Sequence, residues 1–225
     1  MKLNKKQKQI LELAILAFIA LASFLLWDTI IVFPIKLFVV LMHEISHGIA
    51  AIFTGGKIIA LDIGLNLGGK CETIDGNAFT IASAGYLGSF IFGSALFYSA
   101  YNKNNGLVIV SFISMIILLF AVNVINDFTV SIISIMAAVF LFSIKKFSPK
   151  IISDYFLKSL GLISCLYVLM DIKEDTLSGG LNYSDASVVA ELTGIPELVW
   201  GLTWLIISLL GIFYMLRLGF RKGIK

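Results

Sequence analysis

His43 and His47, with Glu44 between them, are the residues of this sequence best suited to chemistry. They form an HExxH motif and are the only 2 histidines in the chain. Side chains four residues apart on a helix project from the same face, so both imidazoles can bind one metal ion. A carboxylate beside the first ligand can accept a proton from an attacking water. The motif therefore predicts zinc-dependent hydrolysis, with His43 and His47 as metal ligands and Glu44 as the catalytic general base.

The surroundings of the motif separate it from a chance occurrence. In soluble helices an isolated HExxH often occurs by chance and binds no metal. Here the motif lies inside an apolar stretch that runs from Phe33 to Phe53. Ionisable side chains in a membrane-spanning helix are costly unless they are paired or metal-bound, so this setting favours a functional metal site.

Composition assigns the chain to a broad class. Hydrophobic residues make up 59% and charged residues only 14% of the 225 residues, against about 25% charged in soluble domains. Mean hydropathy is +0.98. Long apolar runs favour helices over the alternating segments of a membrane β-barrel. We therefore expect an all-α polytopic membrane protein that crosses the cell membrane several times. Its expected partner is the lipid bilayer, and we expect no nucleic-acid partner. We expect a single membrane-embedded domain over residues 1–225.

About seven transmembrane helices are expected, and the second carries the HExxH motif. The first apolar run is too long for a secretory signal core and is counted as a span. After the second span, partial alternation over 57–77 with a turn at Gly68-Gly69 predicts a small β-hairpin beside the metal site. A short surface helix, 184–193, is expected to begin at Ser184 as its cap. The expected spans are 10–26, 35–54, 78–101, 107–123, 128–144, 151–171 and 197–216.

The third span, 78–101, is rich in small residues, which let another backbone approach closely. We expect it to pack directly against the second span. A dimer face is the alternative, and the sequence leaves the oligomeric state open.

A hydrolytic zinc site takes three protein ligands and keeps one position open. No third histidine exists, so the third ligand is expected to be a carboxylate. Asp127, Asp171 and Asp185 all follow segments that end near the same membrane face as the second span. Asp171 is the expected ligand because it completes an unbroken apolar helix, where an unpaired carboxylate is poorly tolerated; Asp127 and Asp185 are the alternatives. The cysteines Cys71 and Cys165 are assigned no role.

Basic residues do not decide the membrane orientation from the sequence. If seven spans alternate in direction, comparable numbers of Lys and Arg fall on the two sides of the membrane.

Several segments together resemble the M50B-like branch of the site-2 protease clan. They are Leu37 to Gly56 with HEISHGIAAIFTGG, SAGYLG at 83–88, LYVLMDI at 166–172, Ser184-Asp185-Ala186 and Thr193-Gly194-Ile195-Pro196. The resemblance implies an intramembrane zinc metalloprotease, with His43 and His47 on zinc, Glu44 as general base and a later aspartate as third ligand. The Asn-Pro-Asp-Gly and Leu-Asp-Gly motifs of better-known members do not occur here.

The leading hypothesis is hydrolysis of a peptide bond in or near the transmembrane segment of a membrane-protein or peptide substrate. The alternative is an inactive protease-like membrane protein that keeps a structural zinc and binds partners. A transporter is disfavoured because ionisable residues concentrate at the motif and no inverted repeat is visible.

Overall fold

The computed structural model describes residues 4–27, 29–64, 68–177 and 184–222. These residues form a mostly helical structure with one two-stranded antiparallel hairpin. Seven of the described helices are long and apolar enough to cross a membrane, which confirms the expected polytopic bundle. The elements in chain order are α1 (Lys5–Leu25), α2 (Phe33–Phe53), β1 (Lys57–Ile63), β2 (Gly69–Ile74), α3 (Ala78–Ser99), α4 (Lys103–Asn123), α5 (Phe128–Phe147), α6 (Lys150–Leu177), α7 (Asp185–Thr193) and α8 (Glu197–Lys222).

The helix starts follow from local side-chain chemistry. Asparagine, aspartate or serine precedes most of the helices and accepts a hydrogen bond from a backbone amide of the first turn, as helix caps do. Pro34 lies in the first turn of α2, where a missing amide hydrogen costs nothing. The capping residues are Asn4, Asn77, Asn102, Asp127 and Ser184.

The helix with the HExxH motif, α2, is the most enclosed of the seven. In its most apolar window 78% of the residues are buried, against 56% or less in the other spans. Val39, Leu41, Met42 and Ile45 are almost fully shielded. A helix that is apolar on all sides belongs at the centre of a bundle, so the motif is held inside protein and not against lipid.

Small residues on α3 allow the close packing that the sequence predicted. A Cβ atom at Gly88 would lie 2.2 Å from Ser46 Oγ of α2. On another face of α3, Gly93 meets Gly161 of α6 so closely that a Cβ at Gly161 would lie 2.4 Å from the Gly93 carbonyl oxygen. Helix α3 therefore packs tightly on both α2 and α6.

The hairpin lies at one end of the bundle, which we call the site end. Its register pairs Lys57 with Ile74 and Ile63 with Gly69. The second glycine of the predicted Gly68-Gly69 turn thus belongs to β2, and the turn precedes it. On its other edge, β1 bonds the connection between α4 and α5 through Leu61 N and Val124 O, 3.3 Å apart.

Helix α1 runs beside α6 in the same direction. Near the start of α1, Glu12 forms an ion pair with Lys158, which lies in the first half of α6. Beyond the end of α1, the rings of Trp27 and Tyr167 are 5.4 Å apart between centroids. Helices α1 and α6 are therefore parallel.

Helix α2 also runs parallel to α6. Phe38 and Leu160 line one apolar groove, and further along His43 lies beside Asp171. Consequently α1 and α2 point the same way, and α2 begins beside the end of α1, with Lys36 Nζ 5.1 Å from the centroid of the Trp27 ring. The expectation that every span reverses the direction of the one before is wrong at this point.

The opposite end of the bundle, which we call the far end, gathers the ends of several helices. Gln9 near the start of α1 donates a hydrogen bond to the carbonyl of Phe220 near the end of α8 (3.0 Å). Lys145 near the end of α5 donates to the carbonyl of Ser99 at the end of α3 (2.8 Å) and lies 3.7 Å from Asp154 near the start of α6. These contacts place the starts of α1 and α6 and the ends of α3, α5 and α8 together.

Candidate metal centre

Helix α2 presents both imidazoles on one face, as the four-residue spacing predicts. The ring centroids of His43 and His47 are 4.7 Å apart. Both rings are largely buried, with side-chain exposures of 12% and 8%. The His43 ring makes a T-shaped contact with the ring of the fully buried Tyr86 of α3, with centroids 5.5 Å apart. The histidines are therefore held between α2 and α3.

A carboxylate from α7 meets the two imidazoles. Asp185 Oδ2 lies 3.0 Å from His43 Nε2 and 3.2 Å from His47 Nε2. Three tetrahedral ligand atoms at zinc bond lengths near 2.0–2.1 Å lie about 3.3 Å apart. The three side chains thus form a group that could hold a metal ion, and the donor set fits zinc.

The position of Asp185 follows from the capping of α7. Ser184 accepts a hydrogen bond from the Ser187 amide, and Ser187 in turn accepts one from the Ser184 amide, which completes a capping box. The Ser184 hydroxyl also donates to Glu197 at the start of α8 (2.7 Å). Asp185 is the first residue of α7. The capping box and the hydrogen bond from Ser184 to Glu197 of α8 therefore hold its position.

Electrostatics keep the Asp185 carboxylate ionised. Burial alone would raise its pKa, but the neighbouring imidazoles, His47 first, outweigh that effect and hold the pKa well below its usual range. An ionised carboxylate is the form that binds a cation.

An oxygen atom lies close to the second nitrogen of each imidazole. His47 Nδ1 lies 2.6 Å from the carbonyl oxygen of Ile81, to which it donates. His43 Nδ1 is buried and lies 3.1 Å from Asp171 Oδ2. An acceptor at Nδ1 favours the tautomer whose Nε2 carries the free lone pair, and this arrangement is typical of metal-binding histidines.

Asp171 does not join the group formed by the two Nε2 atoms. Its carboxylate lies on the Nδ1 side of His43, whereas the Asp185 carboxylate lies beside the Nε2 atoms of both histidines. The physical reason is that the short helix α7 packs against α3 and α8 and brings its first residue to the imidazoles. Asp171 nevertheless has a charged neighbour inside the bundle, because its carboxylate lies 3.1 Å from His43 Nδ1.

The other alternative, Asp127, has a different task. Its Oδ1 accepts a hydrogen bond from the Val130 amide and caps α5. Among the described residues it belongs to no group suited to a metal.

Glu44 is 94% buried and borders the same cavity as the histidines. The backbone of β2 lies against it, so a Cβ atom at Gly69 would be 2.2 Å from Glu44 Oε1. The cavity measures about 570 Å³ and is also lined by Tyr167, Asp171 and Asp185. Glu44 therefore faces a space large enough for a segment of extended peptide.

Cys71 of β2 lines this cavity as well. Burial, followed by the negative charges of Glu44 and Asp185, raises the pKa of Cys71 to about 12. It is a neutral thiol at physiological pH. Cys165 is fully buried elsewhere, and both cysteines are free.

Sequence reasoning found the two histidines, Glu44 and Asp171 as members of one site but ranked Asp185 below Asp171. The sequence did contain an indication for Asp185. Ser184 was predicted to cap a helix, and the backbone of the residue that follows a cap is held in the first turn of that helix. What the sequence did not show was that α7 lies across the site end.

Fold and site together define a class: a multi-pass membrane protein with a buried HExxH motif whose histidines, together with Asp185, could hold a metal ion. The comparison with known families agrees, since the Peptidase M50B-like family matches residues 16–215. The chain belongs to the Peptidase M50B-like family, a group of site-2-protease-type membrane proteins. No curated protein and no solved structure matches the chain.

Proposed function

We propose that this protein is an intramembrane zinc metalloendopeptidase that hydrolyses a peptide bond in or near a transmembrane segment of a membrane protein. The observation that carries the proposal is the convergence of His43 Nε2, His47 Nε2 and Asp185 Oδ2 beside the buried Glu44. Family membership supports the same reaction class.

In this proposal His43, His47 and Asp185 are the metal ligands. Asp171 supports His43 through a carboxylate oxygen 3.1 Å from its Nδ1, and the Ile81 carbonyl supports His47 by accepting from its Nδ1. A zinc ion held there would supply Lewis acidity, which polarises a carbonyl oxygen and lowers the pKa of water.

Glu44 is the proposed general base. It follows His43 directly, so α2 fixes both side chains on one rigid element. Its carboxylate takes a proton from the attacking water and later delivers that proton to the leaving amine. Burial by β2 keeps bulk water away from the carboxylate, which strengthens its interaction with the reacting groups.

The cavity indicates the form of the substrate. A transmembrane helix has its backbone hydrogen bonds satisfied internally, so it must unwind before a peptide bond can be attacked. A helix with glycine or asparagine near one end unwinds at lower cost. We therefore propose that the substrate enters the cavity as a short extended segment.

The test uses purified protein in liposomes with a single-span model helix that carries a Gly-Asn step near one end. Glu44→Gln should retain zinc and lose about 10²–10⁴-fold in cleavage rate. Glu191→Gln, an exposed change on α7, is the matched control and should cleave normally. Equal cleavage by Glu44→Gln and the unmodified protein would refute the proposed base. Zinc binding without cleavage by the unmodified protein would favour a partner-binding role instead.

A further inference from the structure

The far end of the bundle contains a cavity of about 420 Å³ that takes no part in the proposed hydrolysis. It lies between the ends of α3 and α5 and the starts of α4 and α6. Three lysines line it, from the last turn of α5 and the first position of α6, namely Lys145, Lys146 and Lys150. Ser148 and Ser153 add hydroxyl groups to the same wall. We call this cavity the basic pocket.

The charges of the basic pocket do not cancel. Among the described residues that line it, Asp154 of α6 is the one carboxylate. Asp154 forms an ion pair with Lys150, and its Oδ1 lies 3.7 Å from Lys145 Nζ. Lys145 also donates a hydrogen bond to the Ser99 carbonyl oxygen (2.8 Å). A single carboxylate beside three ammonium groups leaves an excess of positive charge.

Lys146 is the lysine of the basic pocket that is available to a ligand. It forms no ion pair with any described residue, and its Nζ lies 5.2 Å from the ring centroids of both Phe142 and Phe147. Lysine donates charge-assisted hydrogen bonds to phosphate oxygens. Basic pockets between transmembrane helices bind the head groups of anionic lipids. The basic pocket therefore fits a phosphate group.

An apolar groove of about 330 Å³ between α2, α5 and α6 continues from the basic pocket. On α5, Ala137 and Leu141 line the groove, and Lys145, four residues further on, lines the pocket. On α6, Ser153 lines the pocket and Phe156, three residues later, lines the groove. Side chains three or four residues apart share one helix face. The pocket and the groove thus follow one another along the same faces of α5 and α6.

The size of the apolar groove indicates what it can hold. From Ile133 to Leu141 of α5 it extends about 12 Å along the helix axis. A helix of that length and about 10 Å across would occupy roughly 900 Å³, which is far more than the groove offers. The wall is apolar apart from the Ser134 hydroxyl, and Met136 and Phe140 in it are more than half exposed. The groove therefore favours a single hydrocarbon chain over a transmembrane helix.

We propose that the basic pocket and the apolar groove form one binding site for an anionic phospholipid, with the head-group phosphate at Lys146 and one acyl chain along the groove. The wall of the groove includes Leu41 of α2, two residues before His43. A bound lipid would thus join α5 and α6 to the helix that carries the metal ligands. The proposal does not depend on the proposed function, because it rests on charge and shape away from the metal cavity.

The experiment is lipid binding to the purified full-length protein in neutral detergent, followed by native mass spectrometry. Phosphatidylglycerol and phosphatidylcholine with identical acyl chains are titrated separately. We expect one phosphatidylglycerol to be retained about tenfold more tightly than phosphatidylcholine. Equal retention of the two lipids would overturn the proposed selection by charge.

The head-group contact is tested with Lys146→Gln. This variant should bind phosphatidylglycerol about fivefold more weakly, because one lysine next to the phosphate is lost. Lys8→Gln removes an exposed lysine of α1 at the same end of the bundle, outside the pocket, and is the matched control that should bind normally. An equal loss in both variants would mean that general surface charge, and not the basic pocket, attracts the lipid.

The acyl-chain contact is tested with Ala137→Phe, which fills the groove and should weaken phosphatidylglycerol binding by about fivefold or more. Val139→Phe, on the exposed side of α5, is the control. If Ala137→Phe loses helicity by circular dichroism, Ala137→Leu makes the same test with a smaller side chain. Unchanged binding by the folded variant would overturn the role of the groove.

Two competitors separate this site from other occupants. Glycerol 1-phosphate has the phosphate without acyl chains and should not displace the lipid at equal concentration. Displacement by it would show a site for free phosphate and contradict the proposal. A single-span model helix should also leave the lipid bound, and displacement by that helix would show that the groove accepts a protein segment instead.

Discussion

Asp171 Oδ2 lies 3.1 Å from His43 Nδ1, on the side of the ring away from the nitrogen that faces Asp185. One histidine thus stands between two aspartates that have different tasks. Asp185 would contribute to metal binding directly, whereas Asp171 would act through the orientation and basicity of His43.

This division of tasks predicts different outcomes for two isosteric changes. Asp171→Asn should weaken zinc binding by about 10–100-fold, because only the outer partner of His43 is lost. Asp185→Asn should abolish stoichiometric zinc binding, since a ligand is lost. Zinc titration against a competing chelator measures both. Equal affinities for the two variants would contradict the assignment.

Gly85 of α3 sets the space available to the imidazoles. A Cβ atom there would lie 2.3 Å from His43 Nε2 and 2.6 Å from His47 Cε1. Overpacking of this kind costs about 1–3 kcal/mol, so Gly85→Ala should weaken zinc binding by about tenfold or more. Ser83→Ala is the control, because its buried hydroxyl has no hydrogen-bond partner among the described residues. Metal content and helicity by circular dichroism distinguish a damaged site from an unfolded protein.

Gly69 of β2 should affect catalysis and leave metal binding intact. The three atoms nearest to its added Cβ would all belong to Glu44, with Oε1 at 2.2 Å. Gly69→Ala is therefore expected to displace Glu44 and to reduce kcat by about 10²-fold or more while zinc stays bound. Lys70→Ala, on the exposed neighbour, serves as the control. Normal turnover by Gly69→Ala would show that the contact between β2 and Glu44 is unimportant.

The capping box of α7 predicts an indirect effect on the metal. Ser184→Ala removes the cap, which contributes about 1 kcal/mol, and also the hydrogen bond to Glu197. Zinc affinity should fall by about fivefold, because α7 no longer holds Asp185 in place. Ser184→Thr keeps the hydroxyl and should restore most of the affinity. If the Ser184→Thr and Ser184→Ala variants bind zinc with the same affinity, the cap does not position Asp185.

The sequence predicted much of this fold because its helices are marked by apolar runs and by caps. The predicted ends of α2 and α3 lie close to those observed, and Ser184 caps α7 as expected. Direction was harder, because no residue pattern between α1 and α2 shows that the two helices run the same way. That feature appears only in long-range contacts such as the one between Glu12 and Lys158.

The site was predictable to a similar extent. Four-residue spacing places His43 and His47 together whatever the rest of the chain does. The choice between Asp171 and Asp185 depends on how α7 packs, and a nine-residue helix carries too little pattern to show that. Both aspartates proved to lie beside His43, from opposite sides.

The most direct test of the metal centre is anomalous X-ray scattering at the zinc edge from crystals of the zinc-loaded protein. The account predicts one ion within bonding distance of His43 Nε2, His47 Nε2 and the Asp185 carboxylate, with Asp171 next to His43 Nδ1 and outside bonding distance. An ion bound by Asp171 in place of Asp185, or no ion between the two histidines, would contradict it.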